Sequence, residues 1–587
     1  MEGEGLVRIE EVDVLVVGAG PTGLTAAILL ADFGVGAITL NQYPGTAHTP
    51  RAHITNIRTM EMFRDIGIEP DIAAVSEKLS FLCNNVMSES LVGTELARYM
   101  SYGSGSDRLT DYAQASPTVP LNCAQHMMEP VLLAAARKRG ADVRFSERLL
   151  AVEDAGERVE ARILDINANE EYLVRAKYLI GADGGRSLVA AQCGFEFEGE
   201  SGLRDMVNVW MDIDLERYTA HRPAVIYSIL KPQERGWVNY GAFINVSPWK
   251  DWIFSSPGTA DIPEEELLNR VRNAVGDPSI DVRVKNISGW QVNHLYATSY
   301  IKGRVILAGD AAHRHPPSGG LGTNTSVQDA YNLVWKLALV LEGKAGEGLL
   351  NTYHDERMPV GKSIVNRAIQ SLYNQDSVAV ALGSAEDADE CPSIDDIFGD
   401  RPGALERRTA LAAAVKKQDY RSNALGVELG QQYQSSAVID DGTPPVRSEK
   451  DPELFYAPST RPGAFVPHVW LEHDRARTSS VDLVGKGRFT LLIGVGGSQW
   501  TAAADRLAAQ LGIDLAVRQI GYRCEYDDVY GDWTRLRGIA DDGALLVRPD
   551  GYIAWRTDHM PDEPDAALRA AFDAILSLQE HDRREVA

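Results

Sequence analysis

Three short segments of this chain contain the residues with the clearest chemical potential. The first, Val12–Gly23, reads VDVLVVGAGPTG and runs from a hydrophobic strand into a Gly-x-Gly-x-x-Gly turn. In such a turn Gly18 permits a sharp bend, Gly20 lets the backbone approach a pyrophosphate, and Gly23 lets helix and strand pack closely. A helix beginning at Pro21 would present unpaired amides and a positive dipole end to the phosphates. The segment predicts dinucleotide binding, with a plain glycine-rich turn as the alternative.

The other two segments each end an apolar strand with an aspartate. Tyr178–Gly184 reads YLIGADG, and Arg304–His313 reads RVILAGDAAH. The stretch that follows, His313–Thr325, reads HRHPPSGGLGTNT; its prolines and glycines make a loop that is rigid at first and then able to lie against a planar ring. His313 and His315 are two residues apart, beside a proline and far from any cysteine or acidic cluster, so no metal site is predicted there.

In this order and spacing, the three segments resemble the FAD-dependent aromatic hydroxylases, the group A flavoprotein monooxygenases. The resemblance implies bound FAD, with NADH or NADPH as a co-substrate that has no nucleotide domain of its own. It further implies that the aspartate–glycine segment serves both nucleotides, that Asp310 binds the ribityl chain, and that the carbonyl of Pro317 faces the reacting flavin carbon. The cofactor-binding residues implied within these segments are Gly18, Gly20, Pro21, Gly23, Asp183, Gly184, Gly309, Asp310, Pro317, Leu321, Gly322 and Asn324. Judged from the residues alone, Asp183 could equally satisfy a turn.

The resemblance extends to Thr49–Glu61, which matches the bacterial phenol, 2-hydroxybiphenyl and 2,4-dichlorophenol hydroxylases. It implies that Arg51 lies on the FAD side and that His53 lies beside the substrate phenol. Arg51, His53 and Pro317 are therefore the implied catalytic residues. Gln125 matches a glutamine that contacts the flavin.

Two positions depart from the family pattern. Asn41 follows the second strand, where an acidic residue usually binds the adenosine ribose; its amide can still donate and accept hydrogen bonds, so ribose contact is still expected. Asn122 stands where aspartate is usual, and the change removes support for an acid role at that position.

The implied activity is hydroxylation of a phenol ortho to its hydroxyl group, through a flavin C4a-hydroperoxide, to give a catechol. Because that electrophile is weak, the ring must be electron-rich, and a phenolate is far more nucleophilic than a phenol. A base with a pKa near the working pH suits the deprotonation, which favours His53. The alternative for His53 is a structural histidine bonded to backbone near the flavin. Two other functions stay open: a tailoring hydroxylase of a fused-ring phenol on the same scaffold, and a redox-sensing flavoprotein without turnover.

Composition agrees with a soluble enzyme and limits its partners. A chain of 587 residues with 44% hydrophobic and 24% charged residues is ordinary for a globular protein of several domains. The net charge of −25 disfavours nucleic acid and anionic membranes as partners. The first residues lack a signal-peptide pattern, and the five cysteines form no Cys-x-x-Cys pair. We expect a cytoplasmic homo-oligomer, a dimer or tetramer, that takes a small phenolic substrate and O2.

The predicted fold class is α/β: a Rossmann-like FAD-binding domain with an inserted antiparallel-sheet substrate domain, as in para-hydroxybenzoate hydroxylase, and a C-terminal thioredoxin-like domain. Alternation of period two in 188–300 indicates the antiparallel sheet, whose candidate wall aromatics are Trp210, Tyr227, Tyr240 and Trp252, with core packing as their alternative. The predicted units are 1–187 and 301–400 for the FAD-binding domain and long helices, 188–300 for the substrate domain, 401–455 for a connecting segment, and 456–587 for the C-terminal domain.

The predicted C-terminal domain has no dithiol chemistry. Where a thioredoxin has its redox cysteines, this chain has Gly496–Gln499, so the domain is expected to be structural. Gly494 and Gly496 imitate a second dinucleotide motif, but Gln499 occupies the third glycine position, and we interpret this turn as unrelated to nucleotides. An Asp550–Gly551 pair between two apolar strands predicts a hairpin.

Overall fold

The computed structural model of the chain describes residues 8–233, 236–383, 391–446 and 448–578. Residues 384–390, which are most of an acidic stretch typical of a linker, lie outside the described residues. Residues 1–7, on which the prediction about a signal peptide rests, also lie outside them. Among the described residues, no helix combines the length and the apolar character needed to cross a membrane.

The first third of the chain alternates strands and helices. In chain order these are β1 (Ile9–Val17), α1 (Pro21–Asp32), β2 (Ala37–Asn41), β3 (Ile54–Thr55), α2 (Ile57–Asp65), α3 (Glu69–Ala74), β4 (Glu77–Lys78), β5 (Asn84–Ser88), β6 (Glu95–Met100), α4 (Leu109–Ala115), β7 (Leu121–Asn122), α5 (Gln125–Lys138), β8 (Asp142–Phe145), β9 (Glu147–Asp154), β10 (Val159–Asp165), β11 (Glu170–Gly181) and α6 (Leu188–Gln192).

Long strands and then long helices follow. These are β12 (Phe197–Asp212), α7 (Glu216–Thr219), β13 (Ala224–Gln233), β14 (Gly236–Ser247), β15 (Asp251–Pro257), α8 (Glu264–Val275), β16 (Arg283–Ala297), β17 (Ile301–Lys302), β18 (Val305–Leu307), β19 (His313–Arg314), α9 (Gly322–Leu341), α10 (Gly348–Ala381), α11 (Ile394–Phe398), α12 (Ala404–Lys416), α13 (Asp419–Ser422) and α14 (Leu425–Leu429).

The last part of the chain contains β20 (Trp470–His473), β21 (Ala476–Ser479), β22 (Phe489–Ile493), α15 (Ser498–Leu511), β23 (Leu515–Gln519), α16 (Asp532–Leu536), β24 (Ala544–Val547), β25 (Ile553–Thr557) and α17 (Pro564–Ile575). Three short 3-10 turns, at Gly309–Ala311, Ser318–Gly320 and Ser480–Leu483, complete the list of helical segments.

A mainly parallel sheet forms the core of the FAD-binding domain. Its order is β17-β18-β11-β1-β2-β8, and β10 and β9 extend it in antiparallel fashion. The segment Val14–Val17 of β1 is buried throughout, as expected for a parallel strand covered on both faces. Since β1, β11 and β18 are parallel, their carboxyl ends share one edge, and the three motifs of the sequence meet there.

The substrate sheet has eight strands in the order β19-β16-β12-β15-β14-β13-β5-β6. Neighbouring strands are antiparallel except β5 and β13, which pair in parallel. Its strands β5 and β6 come from the first part of the chain and β19 follows the third motif. The sheet therefore extends beyond the predicted unit 188–300, because these segments pair with its two edges.

The C-terminal domain has the predicted thioredoxin-like arrangement. Its parallel strands β22 and β23 are connected through α15, and the antiparallel hairpin of β24 and β25 is followed by α17. The hairpin turns at Asp550 and Gly551, where Gly551 has φ of +83°. This left-handed conformation is the reason that glycine suits the turn.

The glycine-rich turn of the C-terminal domain is filled by protein. A Cβ at Gly494 would lie 2.4 Å from the carbonyl oxygen of Asp541, and the amide of Gly496 donates to the same oxygen at 3.0 Å. Trp500 at the start of α15 donates its indole N–H to the carbonyl of Asp542 at 3.0 Å. The chain itself thus occupies the space that phosphates would need.

A buried ionic cluster joins α10 to the C-terminal domain. Arg548 donates to both carboxylate oxygens of Glu356, at 2.6 and 2.9 Å, and to Asp550 at 2.6 Å. Lys336 of α9 donates to Glu356 at 2.8 Å. These four side chains are at most 2% exposed, and burial lowers the pKa of Lys336 to about 8. Glu356 is thus the carboxylate shared by two buried cations.

We expect Glu356→Gln to lower the free energy of unfolding by about 3–5 kcal/mol, because it leaves a buried positive charge without its partner. Urea unfolding followed by tryptophan fluorescence would measure the loss. Asp355→Asn, exposed on the same helix, is the matched control and should change stability by at most about 0.5 kcal/mol. A loss below about 1 kcal/mol for Glu356→Gln would show that the cluster does not need this charge.

Candidate active site

The turn between β1 and α1 combines close packing with open space. Gly18 has φ of +108°, and a Cβ there would lie 2.2 Å from the carbonyl oxygen of Ala182. A Cβ at Gly23 would lie 1.8 Å from the carbonyl oxygen of Gly18. Gly20 differs, because beyond its chain neighbours the described residues place just one atom within 4 Å of its ideal Cβ, a Glu129 carboxylate oxygen at 3.9 Å. Gly18 and Gly23 thus serve the fold, whereas Gly20 borders a cradle with room for a phosphate.

The first turn of α1 has the donors that such a phosphate needs. The helix begins at Pro21, and its N-cap residue Gly20 supplies no side-chain hydrogen bond. The amides of the first helical turn therefore face the cradle without a capping side chain. Asn41, at the end of β2, accepts a hydrogen bond from the amide of Tyr43 at 3.2 Å. It lies at the same edge of the sheet, at the start of the loop that follows β2.

In the second motif, one carboxylate oxygen of Asp183 stabilises the start of a helix. Asp183 accepts hydrogen bonds through Oδ2 from the amides of Leu188 and Val189, at 2.7 and 3.1 Å, at the start of α6. This is the turn role that the sequence left open. Its Oδ1 is buried without a hydrogen-bond partner among the described residues, and burial raises the pKa of Asp183. Gly184 follows with φ of +78°.

The third motif places an unpaired carboxylate at the same edge. Gly309 has φ of +64°, and a Cβ there would lie 2.5 Å from the Thr22 hydroxyl of α1, so the third motif packs against the first. Asp310 is exposed and makes no hydrogen bond or ion pair among the described residues. Arg314, three residues beyond the turn, contributes positive charge near Asp310 and Asp183.

The loop Pro316–Gly320, here called the proline–glycine loop, leads into α9. Pro317 is exposed, and α9 begins at Gly322 without a capping side chain, so its positive end is free. Asn324 uses its side chain within the protein: Oδ1 accepts from the amide of Asn56 at 2.9 Å and Nδ2 donates to the carbonyl of Ile54 at 2.9 Å. Any contact of Asn324 with a cofactor would therefore be made by its backbone.

The two histidines of this stretch have separate partners. His313 is fully buried, and its Nε2 lies 2.8 Å from Oδ2 of Asp329. His315 has its Nδ1 2.7 Å from the carbonyl oxygen of Pro316. Among the described residues, no three histidine, cysteine or acidic side chains are grouped as metal ligands.

His53 is held in one tautomer by an amide. Asn122 donates through Nδ2 to the carbonyl of Asn245 at 3.1 Å, which turns its Oδ1 toward His53. That oxygen lies 2.9 Å from Nδ1 of His53, so Nδ1 must be the protonated nitrogen. Nε2 then has a free lone pair and no hydrogen-bond partner among the described residues. Burial, opposed by the bond to Asn122, lowers the pKa of His53, so the ring is neutral at pH 7.

The sequence analysis missed Glu129 of α5, which is hydrogen-bonded to Gln125. Gln125 donates to Oε1 of Glu129 at 2.6 Å, and the amide of Ala47 donates to Oε2 at 2.5 Å. Burial raises the pKa of Glu129, and the nearby charge of Arg51 opposes this rise. Since Glu129 also borders Gly20, it belongs to the wall of the phosphate cradle. Its position four residues after Gln125 on one helix is the signal that could have found it.

Three of the four predicted wall aromatics lie on the face of the substrate sheet that packs against α8. Tyr227 and Trp252 pack in the core between the sheet and α8, and Tyr227 donates its hydroxyl to the carbonyl of Arg222 at 2.8 Å. Tyr240 joins them, with its ring 6.4 Å from that of Phe254. The prediction that these three line the substrate site is therefore wrong. Alternation groups residues by face, but it does not tell which face meets the other domain.

The face of the sheet toward the FAD-binding domain is mostly aliphatic. Ile226 and Ala242 pack there with Ile54 and Tyr102. Trp210 is the one predicted aromatic on this face, where its ring lies 5.5 Å from that of His126 at the start of α5. Ile54 of this aliphatic wall also adjoins Gly320, so the wall meets the proline–glycine loop there.

Two polar residues that the sequence analysis missed border this wall. Tyr102 has φ of +52° and is 8% exposed. Arg421 of α13 has its carbonyl oxygen 3.0 Å from the Cβ position of Gly319 in the proline–glycine loop. Burial lowers the pKa of His53, and the positive charge of Arg421 lowers it further. No motif in the connecting segment marks this arginine.

Comparison with known proteins agrees with this geometry. Residues 11–368 match the model of an FAD binding domain, and residues 459–577 match that of the aromatic-ring hydroxylase C-terminal domain. The chain is 43% identical to 2,4-dichlorophenol 6-monooxygenase of Delftia acidovorans, over 97% of this chain and 98% of that protein. It is 40% identical to phenol 2-monooxygenase of Pseudomonas sp. (strain EST1001), over 97% and 93%.

Solved structures show the same fold over nearly the whole chain. The flavin-dependent monooxygenase PieE, in complex with FAD and substrate, matches with a TM-score of 0.92 and 42% identity, over 97% of this chain and 99% of that one. Aklavinone-11 hydroxylase with FAD and aklavinone matches with a TM-score of 0.79 and 32% identity, over 97% and 99%. Both comparisons span the three motifs, the substrate sheet and the C-terminal domain, and the chain belongs to the FAD-dependent aromatic-ring hydroxylases.

Proposed function

We propose that the enzyme hydroxylates a phenol, simple or ring-substituted, at the carbon ortho to its hydroxyl group, using O2 and NADH or NADPH and giving a catechol. The observation that carries the proposal is the half-buried imidazole of His53, whose Nε2 has no hydrogen-bond partner among the described residues. The phenol and dichlorophenol monooxygenases at 40–43% identity support this substrate class. Two tetracenomycin monooxygenase-dioxygenases are 33% and 35% identical, which favours the small phenol over a fused-ring one.

The residues at the sheet edge fit FAD. The cradle at Gly20 and the first turn of α1 would hold the pyrophosphate, and the unpaired carboxylate of Asp310 would accept the ribityl hydroxyls. The free positive end of α9, behind the proline–glycine loop, would stabilise negative charge on the reduced ring. When bound, FAD supplies electron transfer from the nicotinamide and the activation of O2. We assign Pro21, Asn41, Arg51, Gln125, Asp183, Gly184, Pro317, Leu321 and Gly322 to the remaining cofactor contacts.

The protein's part in the reaction is to prepare the substrate. With Nδ1 protonated and bonded to Asn122, His53 can take the phenol proton on Nε2 and leave a phenolate, which is the more nucleophilic ring. The aliphatic wall at Ile226 and Ala242 would hold the ring opposite the proline–glycine loop. An apolar wall also keeps water from the oxygen-transfer step, which water would otherwise divert to peroxide.

We further infer a cytoplasmic enzyme, supported by five cysteines that are all free thiols and by the acidic composition. Assembly into a dimer or tetramer stays a prediction, which sedimentation velocity of the purified protein would test.

Replacing Gly20 by valine should abolish FAD binding, because the side chain would enter the phosphate cradle, where a Cβ has room beside the protein. Flavin absorbance of the purified variant and titration with FAD would measure this. Gly36→Ala is the matched control, because its Cβ meets only a movable Asp13 carboxylate at 3.3 Å, at the other end of β2. A yellow Gly20→Val protein with normal affinity would place the cofactor elsewhere.

The proposed reaction is tested with a panel of substituted phenols. Each is scored for faster NAD(P)H oxidation and for catechol formed per nicotinamide consumed. In His53→Ala we expect the hydroxylation rate to fall ~10²-fold or more, because the base is lost while FAD still binds. Higher pH, or a more acidic phenol that arrives already ionised, should restore part of the rate.

His48→Ala, an exposed histidine a few residues earlier, is the control and should keep full turnover. If no phenol in the panel yields catechol with the unaltered enzyme, the proposed function is wrong. If catechol forms equally well with His53→Ala at every pH, the reaction stands and His53 is not its base.

Asn122→Asp tests the origin of the low basicity of His53. A carboxylate beside Nδ1 favours the charged imidazole, so the pKa of His53 should rise. Because the neutral ring is the active base, the acid limb of kcat/KM should move to higher pH, with the deficit largest near pH 6 and smaller toward pH 8. The pH profile of coupled turnover measures this shift. An unchanged acid limb would contradict the assignment of that limb to His53.

A further inference from the structure

Arg421 is a partly buried cation that forms no ion pair among the described residues. Its Nη1 is shielded from solvent and has no hydrogen-bond partner there. Its side chain likewise takes part in no other hydrogen bond within the described part of the chain. Shielding a charged N–H group from water is costly unless an anion or a hydrogen-bond acceptor compensates it. The described protein atoms thus supply no acceptor for the N–H groups of this nitrogen.

The position of Arg421 is fixed by the backbone around it. Arg367 donates to the carbonyl of Tyr420 at 2.6 Å, which anchors α13 to α10. The amide of Tyr102 donates to the carbonyl of Ser422 at 2.8 Å. On its other side, the backbone of Arg421 adjoins Gly319 in the proline–glycine loop, as described above.

The same loop connects Arg421 to the proposed base. A Cβ at Gly320 would lie 2.7 Å from Cβ of Ile54, the neighbour of His53. Arg421 thus lies among Tyr102, the proline–glycine loop and His53, on the side of the site where a substrate hydroxyl would have to lie to reach the base.

The acidic residues near α13 are committed elsewhere. Asp419 accepts from Arg108 and from Asn423, both at 2.5 Å. Glu453 pairs with Arg367. Both carboxylates are thus paired with other side chains, and neither forms an ion pair with Arg421.

The charge of Arg421 acts on two titratable groups, His53 and Tyr102. Burial raises the pKa of Tyr102, although the charge of Arg421 opposes this. Glu428 also acts on Tyr102; burial raises the pKa of Glu428 to about 7, and its carboxylate is bonded to the backbone of Ile57. No carboxylate of the described residues forms an ion pair with the Arg421 guanidinium.

We propose that Arg421 is the anion-binding residue of the substrate site and pairs with the phenolate oxygen of the bound substrate. This inference rests on the proposed hydroxylation of a phenol. In the step it assists, the proton moves from the phenol oxygen to Nε2 of His53, the O–H electron pair stays on oxygen, and the guanidinium stabilises the resulting charge. Arginine suits this role because it stays protonated at any working pH. Substrates that ionise more readily should accordingly bind more tightly.

The test uses 4-nitrophenol, whose anion absorbs visible light, with the FAD-loaded enzyme in the absence of nicotinamide. Difference spectra over a pH series give the pKa of the bound phenol directly. We expect that Arg421→Gln raises this pKa by about 1–2 units, which equals a 10–100-fold loss of phenolate affinity. Arg421→Lys should keep most of the effect, because it retains the charge.

Three controls separate charge pairing from a structural role. The methyl ether 4-nitroanisole cannot ionise, so Arg421→Gln should leave its affinity unchanged. Lys417→Gln removes an exposed positive charge four residues earlier and should change neither ligand. FAD content, read from absorbance, shows whether each variant is folded; if Arg421→Gln loses FAD, the comparison is made with Arg421→Lys and Arg421→Met.

Three results would overturn the inference. The first is an unchanged pKa of bound 4-nitrophenol in Arg421→Gln. The second is an equal loss of affinity for the ether and the phenol. The third is weaker binding of 4-hydroxybenzoate with normal ionisation of 4-nitrophenol, which would assign Arg421 to a ring carboxylate. None of these results depends on turnover. Failure of the unaltered enzyme to form catechol is a separate outcome that would refute the proposed function alone.

Discussion

The rest of the structure depends on the pairing of one buried carboxylate, that of Asp329 on α9. Its Oδ2 accepts from the amide of Gly309 at 2.9 Å and lies 2.8 Å from Nε2 of His313, and its Oδ1 accepts from Arg357 at 2.8 Å. Burial favours the neutral form of the acid, yet the positive charge of Arg357 lowers its pKa overall. Because an unpaired buried charge is costly, the turn at Gly309, the strand β19 and the helix α10 must keep one mutual arrangement. That arrangement sets the turn that carries Asp310.

The pairing of buried charges on α10 also fixes the C-terminal domain. Arg357 also donates to Gln431 at 2.9 Å and to the hydroxyl of Tyr433 at 3.0 Å. The ring of Tyr433 stacks on Tyr552 of the C-terminal hairpin with centroids 4.0 Å apart. One residue before Arg357, Glu356 binds the buried arginine of that hairpin. A domain without redox cysteines is thus connected through consecutive residues of α10 to the proposed flavin turn, which gives it a structural reason to be present.

The site handles charge differently on its two sides. Near the phosphate cradle and Asp310 it offers helix ends and a free carboxylate, which suit a large polar cofactor. Around His53 it uses an amide, Asn122, to set the tautomer without adding negative charge. An aspartate would set the same tautomer but would favour the charged ring, so the amide preserves a neutral base. The positive charge of Arg421 further disfavours protonation of His53.

The sequence by itself determined the fold class and the three motifs, because glycine turns and apolar strands are local features whose steric and packing requirements can be read in order. The helix at Gly322 and the hairpin at Gly551 follow from the same local rules. Tertiary structure decided which face of the substrate sheet meets the FAD-binding domain, and so excluded Tyr227 and Trp252 from the site. It also brought Arg421 to the site from a segment with no motif. Both depend on how distant segments pack, since a strand pattern is equally consistent with either face and a lone arginine has no local signature.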